Sequence, residues 1–175
     1  VSRSNLPRQT LYTTEDLGEK KALLAARRLK ACNPHCTLRT STERLSPTNA
    51  HQLLSGKDLI LDATDNEEAR RLIDSVARTA GQHWLYTSIN GWCGQVALFP
   101  PEGKGYCDLF PEIPSTSEEP EANSAPIPVI SSTPALLGSI AGAEALKHLL
   151  GLATPLSDHL LLVDSLRWSF QLLKR

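Results

Sequence analysis

Apolar residues in the first half of the chain alternate between short uninterrupted runs and stripes with a helical period. The apolar run 59–61 lies between Asp58 and Asp62, and such a run predicts a buried, central parallel strand. Amphipathic stripes predict a helix that follows Gly18 and runs through about residue 29, and further helices over residues 48–54, 67–80 and 134–150. We therefore expect strands and helices to alternate in this part of the fold.

The remaining apolar runs favour antiparallel pairing. Runs rich in β-branched and aromatic residues predict strands over residues 36–40, 84–88, 93–99, 160–164 and 167–173. Because the connection containing Asn90-Gly91 is too short for a crossover helix, the strands that flank it are expected to be antiparallel. Gly138 and Gly142 in the last helix predict the close approach of another element. The predicted fold class is α/β, a Rossmann-like, mostly parallel sheet with an antiparallel C-terminal extension.

Length and composition limit the number of domains, the kinds of partner and the compartment that we expect for this protein. The 175 residues fit one domain, residues 1–175, with a proline-rich crossover loop over residues 111–128 inside it. A net charge of −1 favours neither nucleic-acid nor membrane-surface partners, and no apolar run approaches the ~20 residues that span a bilayer. Four cysteines without disulfide density favour a cytoplasmic protein. The absence of methionine suggests a fragment of a longer protein.

The most informative candidate for chemistry is Asp65, which follows the predicted central strand together with Asn66. Ligands of open α/β sheets lie beyond the carboxyl ends of the strands, and a carboxylate there is a natural magnesium ligand. The alternative is that Asp65 caps the helix that starts near Glu67. A second candidate metal cluster, Cys32 with His35 and Cys36, is disfavoured because it straddles a helix end and a strand.

A series of short motifs occurs in a fixed order along the chain. The series resembles that of the ThiF, MoeB and HesA group, relatives of the adenylation domain of ubiquitin-activating enzymes. It covers about residues 1–164 and comprises Ser4-Asn5-Leu6-Pro7-Arg8-Gln9, Gly18-Glu19-Lys20-Lys21-Ala22, Asn33-Pro34, Glu43-Arg44-Leu45, Asp62-Ala63-Thr64-Asp65-Asn66, Gly94-Gln95-Val96 and Glu144-Ala145-Leu146-Lys147.

This resemblance implies ATP-dependent adenylation of the C-terminal glycine of a ubiquitin-like sulfur carrier of the ThiS or MoaD type, by a homodimeric enzyme. It implies that Arg8, Lys21 and Asp65 are catalytic and converge on the triphosphate, with Asp65 holding magnesium. The implied nucleotide-binding residues are Asn5, Arg8, Gln9, Lys21, Asp65 and Asn66. Arginine, lysine and a magnesium-binding aspartate suit this adenylation reaction, because phosphoryl and nucleotidyl transfer depends on positioning the reactants and on neutralising phosphate charge.

The sequence also departs from the family pattern. The family's glycine-rich nucleotide loop and first strands are absent, so they were cut away, are supplied by another chain or have been lost. No zinc site is expected, because a single Cys107 precedes Leu109-Phe110-Pro111 and no cysteine follows. The family's reactive cysteine is matched by Ser124 after Asn123, which leaves Cys107 and Cys93 as candidate thiols, although Cys93 is expected to pack inside the sheet. An alternative function is therefore a catalytically inactive module that binds a carrier protein or a partner subunit.

Overall fold

The computed structural model describes residues 1–111 and 129–175, which form two compact units, Val1–Arg44 and Leu45–Arg175. The crossover loop predicted over residues 111–128 lies outside the described residues except for Pro111. The assignment of residues 1–175 to one domain stays a prediction. No helix in the described part of the chain is long and apolar enough to cross a membrane.

The first unit is built around α1 (Lys21–Cys32) and two short 3₁₀ turns, Arg3–Asn5 and Thr14–Asp16. The buried carboxylate of Asp16 holds the second turn to the helix, because it accepts from the Thr13 N–H at 2.7 Å and from Arg28 Nη2 at 2.5 Å. The Thr13 N–H is the largest of the interactions that lower the pKa of Asp16, and the Arg28 guanidinium adds to it. Arg28 thus links the helix to the loop before it.

The strand predicted over residues 36–40 does not form. Residues 37–40 have no regular structure and are exposed, and no strand in the described ranges pairs with them. β-branched residues favour a strand only where a neighbouring strand takes up the backbone hydrogen bonds and the side chains pack. The composition of this segment is therefore a poor guide to its conformation.

The second unit contains a five-stranded sheet with the strands in chain order: β1 (Leu59–Leu61), β2 (His83–Asn90), β3 (Cys93–Phe99), β4 (His159–Asp164) and β5 (Ser169–Lys174). β1 is parallel to β2, and the three remaining pairs are antiparallel, which confirms the antiparallel extension. In the described residues the sheet is therefore mostly antiparallel and not mostly parallel as predicted. The prediction that the run 59–61 is a buried central strand is wrong for the described residues. β1 lies at an edge with one neighbour, and Leu61 is 58% exposed.

Helices cover both faces of the sheet, as an α/β fold requires. On one face α3 (Glu67–Thr79) and the short α4 (Tyr106–Leu109) cover an aromatic core in which the rings of Trp84 and Phe99 stack at 5.0 Å. On the other face α5 (Ser132–Leu149) packs through Leu137 against a cluster of aliphatic residues. The small helix α2 (Ala50–Leu54) lies beside α3. These elements confirm the predicted α/β class.

A glycine does permit the close approach of α5 to the sheet, but it lies on the strand. A Cβ at Gly94 of β3 would lie 2.7 Å from Leu137 Cγ, whereas a Cβ at Gly138 or Gly142 would meet nothing in the described residues within 4 Å. Within the described part of the chain, the prediction that the two helical glycines receive a neighbour is therefore wrong. Leu137, which is fully buried, fills the space that the absent side chain of Gly94 leaves.

Candidate functional site

Three of the candidate residues in the first unit lie on one short turn. The Asn5 carbonyl accepts hydrogen bonds from the backbone N–H of Arg8 at 3.1 Å and of Gln9 at 2.9 Å. Arg8 is half-buried as a residue, and its guanidinium Nη1 donates to the Ser4 carbonyl at 2.7 Å. This bond uses one of the five guanidinium donors and leaves the others available for an anion.

Lys21 is connected to the same turn through Tyr12. The Tyr12 N–H donates to the Gln9 carbonyl at 3.0 Å, and its hydroxyl donates to the Lys21 carbonyl at 3.2 Å. Lys21 is the first residue of α1 and is exposed, and its ammonium makes no ion pair with any residue in the described ranges. The structure therefore links Asn5, Arg8, Gln9 and Lys21 within one unit.

The other two candidate residues lie in the second unit, where β1 ends and α3 begins. Asn66 is the N-cap of α3, because its Oδ1 accepts from the Ala69 N–H at 2.9 Å. The alternative that Asp65 caps this helix is therefore wrong. Asp65 is exposed, and in the described part of the chain its carboxylate makes no hydrogen bond or ion pair.

A buried ion pair that sequence analysis missed is formed by Asp62 and Arg70, which lie on either side of Asp65 in the chain. The Asp62 carboxylate has no exposed side-chain surface and accepts from Arg70 Nε at 3.2 Å. Asp62 Oδ1 also accepts from the Thr64 N–H at 2.7 Å, and Arg70 Nη2 donates to the Thr64 carbonyl at 2.8 Å. The sequence carried a signal for this pair, since Arg70 lies three residues before the buried Ile73 and so on the apolar face of α3.

The candidate residues thus fall into two groups, one in each compact unit. Asn5, Arg8, Gln9 and Lys21 belong to Val1–Arg44, and Asp65 and Asn66 belong to Leu45–Arg175. The convergence of Arg8, Lys21 and Asp65 on one triphosphate stays a prediction.

The residues at the end of β1 fit a magnesium ion that is shared with a substrate. Magnesium is usually held by one or two carboxylates, with phosphate oxygens and water completing the octahedron. Asp65 offers a carboxylate without a partner, and the neighbouring Thr64 Oγ1 is a buried oxygen without a hydrogen bond in the described structure. Among the described residues no group of three or more His, Cys, Asp or Glu is arranged to hold a metal, and Cys32, His35 and Cys36 do not form such a group there.

The candidate thiols are both accessible. Cys93 is exposed at the start of β3, so the expectation that it packs inside the sheet is wrong. Cys107 is also exposed, but partial burial raises the pKa of its thiol and the negative charge of Asp74 raises it further, which reduces the reactive thiolate. Asn123 and Ser124 lie outside the described residues.

A groove of about 580 Å³ opens over the antiparallel strands of the second unit. Gln95, from the Gly94-Gln95-Val96 motif, has its side-chain carbonyl fixed by the Tyr86 hydroxyl at 2.9 Å. Burial raises the pKa of Tyr86, so its hydroxyl stays protonated and donates. The groove is lined by backbone and mainly polar side chains, namely Ser88, Asn90, Cys93, Gly94, Gln95, Leu162, Val163, Asp164, Arg167, Ser169 and Gln171.

Two turns beside this groove carry exposed tryptophans. Ser165, in the turn between β4 and β5, donates its N–H and its hydroxyl to the Trp92 carbonyl at 3.0 and 2.7 Å, so the two turns are joined. Trp92 is 41% exposed and Trp168 is 76% exposed. Trp168 also has a φ of 54°, a left-handed conformation that is uncommon for a bulky residue and is often found at functional sites.

Comparison with known sequences supports the resemblance over the whole chain. The sequence profile described as the ThiF family matches residues 1–175. The sulfur carrier protein adenylyltransferase of Thermus thermophilus is 42% identical over 177 residues, which cover 98% of this chain and 65% of that protein. The sulfur carrier protein ThiS adenylyltransferase of Escherichia coli is 32% identical over 160 residues, which cover 90% of this chain and 62% of that protein.

Comparison with solved structures supports the α/β fold described above. The crystal structure of Escherichia coli MccB with ATP has a TM-score of 0.84 at 16% identity, with 99% of this chain and 53% of that chain covered. A likeness at this identity concerns the fold alone. The chain spans less than two thirds of the length of the curated relatives that it matches. Because the profile match extends over all 175 residues and the motifs occur in the same order, this chain belongs to the ThiF family.

Proposed function

We propose that this chain belongs to an enzyme that uses ATP to adenylate the C-terminal glycine of a ubiquitin-like sulfur carrier. The observation that carries the proposal is the exposed carboxylate of Asp65 at the carboxyl end of β1, which has no partner among residues 1–111 and 129–175, in a chain that matches the ThiF family throughout. The names of the Thermus thermophilus and Escherichia coli relatives supply the class of substrate. The MccB structure with ATP supports ATP as the nucleotide.

The reaction forms one bond and breaks one bond at the α-phosphorus of ATP. A carboxylate oxygen of the carrier attacks that phosphorus, and the bond to the oxygen that bridges to the β-phosphate breaks. Pyrophosphate leaves with the electron pair, and the acyl-adenylate remains. Arg8 would bind phosphate oxygens through its planar fork of donors, and Lys21 would supply a compact positive charge. Asn5, Gln9 and Asn66 would hydrogen-bond the nucleotide.

Asp65 would hold magnesium, and the ion would supply additional neutralisation of the charge on the triphosphate. Asn66 already uses its side-chain Oδ1 to cap α3. Its side-chain NH2 group is therefore the part that remains to donate to a nucleotide oxygen. Both residues would then act at the point where β1 ends, which is where open α/β sheets bind ligands.

The groove over β2–β5 would receive the extended C-terminal segment of the carrier. Its polar side chains offer hydrogen-bonding groups to a peptide backbone, and the adjacent exposed Trp92 and Trp168 offer apolar surface to the globular part of the carrier. Aromatic residues that are exposed beside a polar rim are common at protein–protein interfaces.

The enzyme would act as a homodimer in the cytoplasm. The end of α5 carries exposed leucines, with Leu146 62%, Leu149 58% and Leu150 70% exposed, and such apolar surface supports a subunit interface. The four unpaired cysteines support a reducing compartment.

Carrier-dependent exchange of labelled pyrophosphate into ATP tests the proposal in the full-length protein. With a carrier that ends in Gly-Gly, we expect exchange that falls about 10²–10³-fold in Lys21→Ala and in Asp65→Ala, because each substitution removes one charge aimed at the phosphates. Lys20→Ala and Glu68→Ala change exposed neighbours of the same charge and serve as matched controls that retain exchange. If the intact, folded protein exchanges no pyrophosphate with any such carrier, the proposed adenylation activity is excluded. The alternative of a catalytically inactive binding module would then remain.

A further inference from the structure

The backbone N–H and carbonyl of Thr64, the residue directly before Asp65, both bond to one buried ion pair. Asp62 Oδ1 accepts from the Thr64 N–H at 2.7 Å, and Arg70 Nη2 donates to the Thr64 carbonyl at 2.8 Å. Asp62 and Arg70 are joined by their own contact of 3.2 Å. The three residues form a closed ring of hydrogen bonds, which leaves little freedom for the backbone at residue 64.

This ring is anchored to the sheet and to α3. The Asp62 N–H donates to the Leu85 carbonyl of β2 at 2.9 Å, and Arg70 Nη2 reaches the Thr87 carbonyl of the same strand at 3.4 Å. The Arg70 guanidinium lies over the ring of Tyr86, 5.3 Å from its centroid. Because the Asp62 side chain is fully buried and that of Arg70 is 10% exposed, solvent does not compete for these bonds.

Asp65 therefore lies between two fixed residues. Thr64 is held by the ion pair, and Asn66 is held by its cap on α3. Asp65 itself is exposed and has no partner within residues 1–111 and 129–175. Both flanking residues are thus constrained, while the carboxylate between them remains available to a ligand.

Stability alone does not account for a buried ion pair at this place. Desolvation of two charges offsets most of their attraction, and apolar residues of similar size are often at least as stabilising. The pair is instead well suited to fixing a backbone conformation, since Asp62 accepts from the N–H and Arg70 donates to the carbonyl of the same residue, Thr64.

We propose that Asp62 and Arg70 are positioning residues that orient Asp65 toward a nucleotide-bound magnesium ion. The inference rests on the proposed function. Neither residue reaches the substrate in this account, because both are buried and act through the backbone of Thr64. Outer residues that orient a metal ligand typically change metal affinity or activity about 10–100-fold when they are replaced.

Binding of α,β-methylene ATP by the full-length protein, measured by calorimetry across a series of magnesium concentrations, tests this inference. Arg70→Lys keeps the positive charge but loses the fork that bridges Asp62 and Thr64. We expect the magnesium concentration for half-maximal enhancement of binding to rise about 10–100-fold, while binding without magnesium stays unchanged. The exchange of the Thr64 amide hydrogen should accelerate in the same variant.

Asp74→Asn is the matched control. Asp74 is a second buried carboxylate on α3, but it accepts from Trp84 Nε1 and the Tyr106 N–H, so it lies outside the ring around Thr64. We expect the wild-type magnesium dependence in this variant, whatever its stability. If Arg70→Lys does not fold, the double variant Asp62→Asn with Arg70→Gln leaves no unpaired buried charge and is expected to show the same rise.

Each outcome has a separate meaning. A folded Arg70→Lys or double variant with the wild-type magnesium dependence overturns the positioning role and leaves the proposed function standing. An equal shift in Asp74→Asn also overturns it, because the effect would then follow from any buried carboxylate of α3. Failure of the wild-type protein to bind the analogue with magnesium overturns the proposed function, and the inference with it.

Discussion

At the scale of single residues, hydrogen-bond partners separate structural carboxylates from the candidate functional one. Asp62, Asp74 and Glu144 are buried and each accepts from two or more donors. Asp65 is exposed and has no partner in the described ranges. A buried carboxylate without donors would be costly, so hydrogen bonds from these donors allow the first three to be buried. Asp65 has no such bonds in the described residues, and magnesium binding would give its carboxylate a role.

Gly94 gives a residue-scale prediction about the contact between α5 and the sheet. Gly94→Ala places a Cβ 2.7 Å from Leu137 Cγ, and overpacking of this kind typically costs about 1–3 kcal/mol. We expect the free energy of unfolding in urea to fall by that amount. Gly138→Ala is the control, because its Cβ meets nothing within 4 Å and alanine favours a helix by about 0.5–1 kcal/mol. A Gly94→Ala variant as stable as the wild type would contradict the close contact.

At the scale of secondary structure, the sequence correctly predicts the elements whose apolar residues recur with the period of a helix or form the run of a strand. The apolar stripe of α3, predicted over residues 67–80, matches the observed Glu67–Thr79, and the strand over residues 93–99 matches β3. The short turn between β2 and β3 predicted their antiparallel pairing correctly, because turn length is a local property. These features depend on residues that are close in the chain.

Features that depend on distant residues were not predictable in the same way. Residues 36–40 have the composition of a strand, but strand formation depends on a neighbour that the segment itself does not specify. The glycine that permits close packing is Gly94 and not Gly138, because the contact depends on how β3 and α5 meet. The Asp62–Arg70 pair joins a strand end to a helix, and only the placement of Arg70 on an apolar face indicated it.

Two substitutions of Asn66 distinguish its role as the N-cap of α3 from its proposed role in nucleotide binding. Asn66→Ala removes the acceptor for the Ala69 N–H and is expected to lower the free energy of unfolding by about 1 kcal/mol. Asn66→Asp keeps a good N-cap acceptor but loses the amide donor. If the amide serves the nucleotide, Asn66→Asp retains stability and weakens α,β-methylene ATP binding. Unchanged binding in a stable Asn66→Asp variant would limit Asn66 to its role as a cap.

At the scale of the whole molecule, the site residues are divided between two compact units. Arg8 and Lys21 belong to the first unit, and Asp65 belongs to the second. The proposed function assigns roles to residues of both units, so substitutions in either unit are expected to reduce pyrophosphate exchange.

The pH dependence of stability is a second property of the whole molecule. The rings of His83 on β2 and His148 on α5 lie 4.5 Å apart, and burial, followed by the charge of His148, lowers the pKa of His83. The folded state then binds this proton more weakly than the unfolded state does, so stability is greatest above about pH 6.5 and falls as the pH drops toward the lowered pKa.

We therefore expect His83→Gln to flatten the pH dependence of the free energy of unfolding below about pH 6.5, since glutamine takes up no proton. His148→Gln should flatten it partly, because it removes the charge and leaves the burial. Urea unfolding at several pH values measures both slopes. Slopes equal to that of the wild-type protein would contradict a role for His83.

The distribution of the three tryptophans has a practical consequence for spectroscopy. Trp84 is fully buried and donates to Asp74, whereas Trp92 and Trp168 are exposed on joined turns beside the groove. The native fluorescence of this chain should contain one component that is shielded from iodide and two that iodide quenches. A carrier protein docked on these turns would protect the quenchable components and shift their emission to shorter wavelengths, so intrinsic fluorescence would report docking without an attached label.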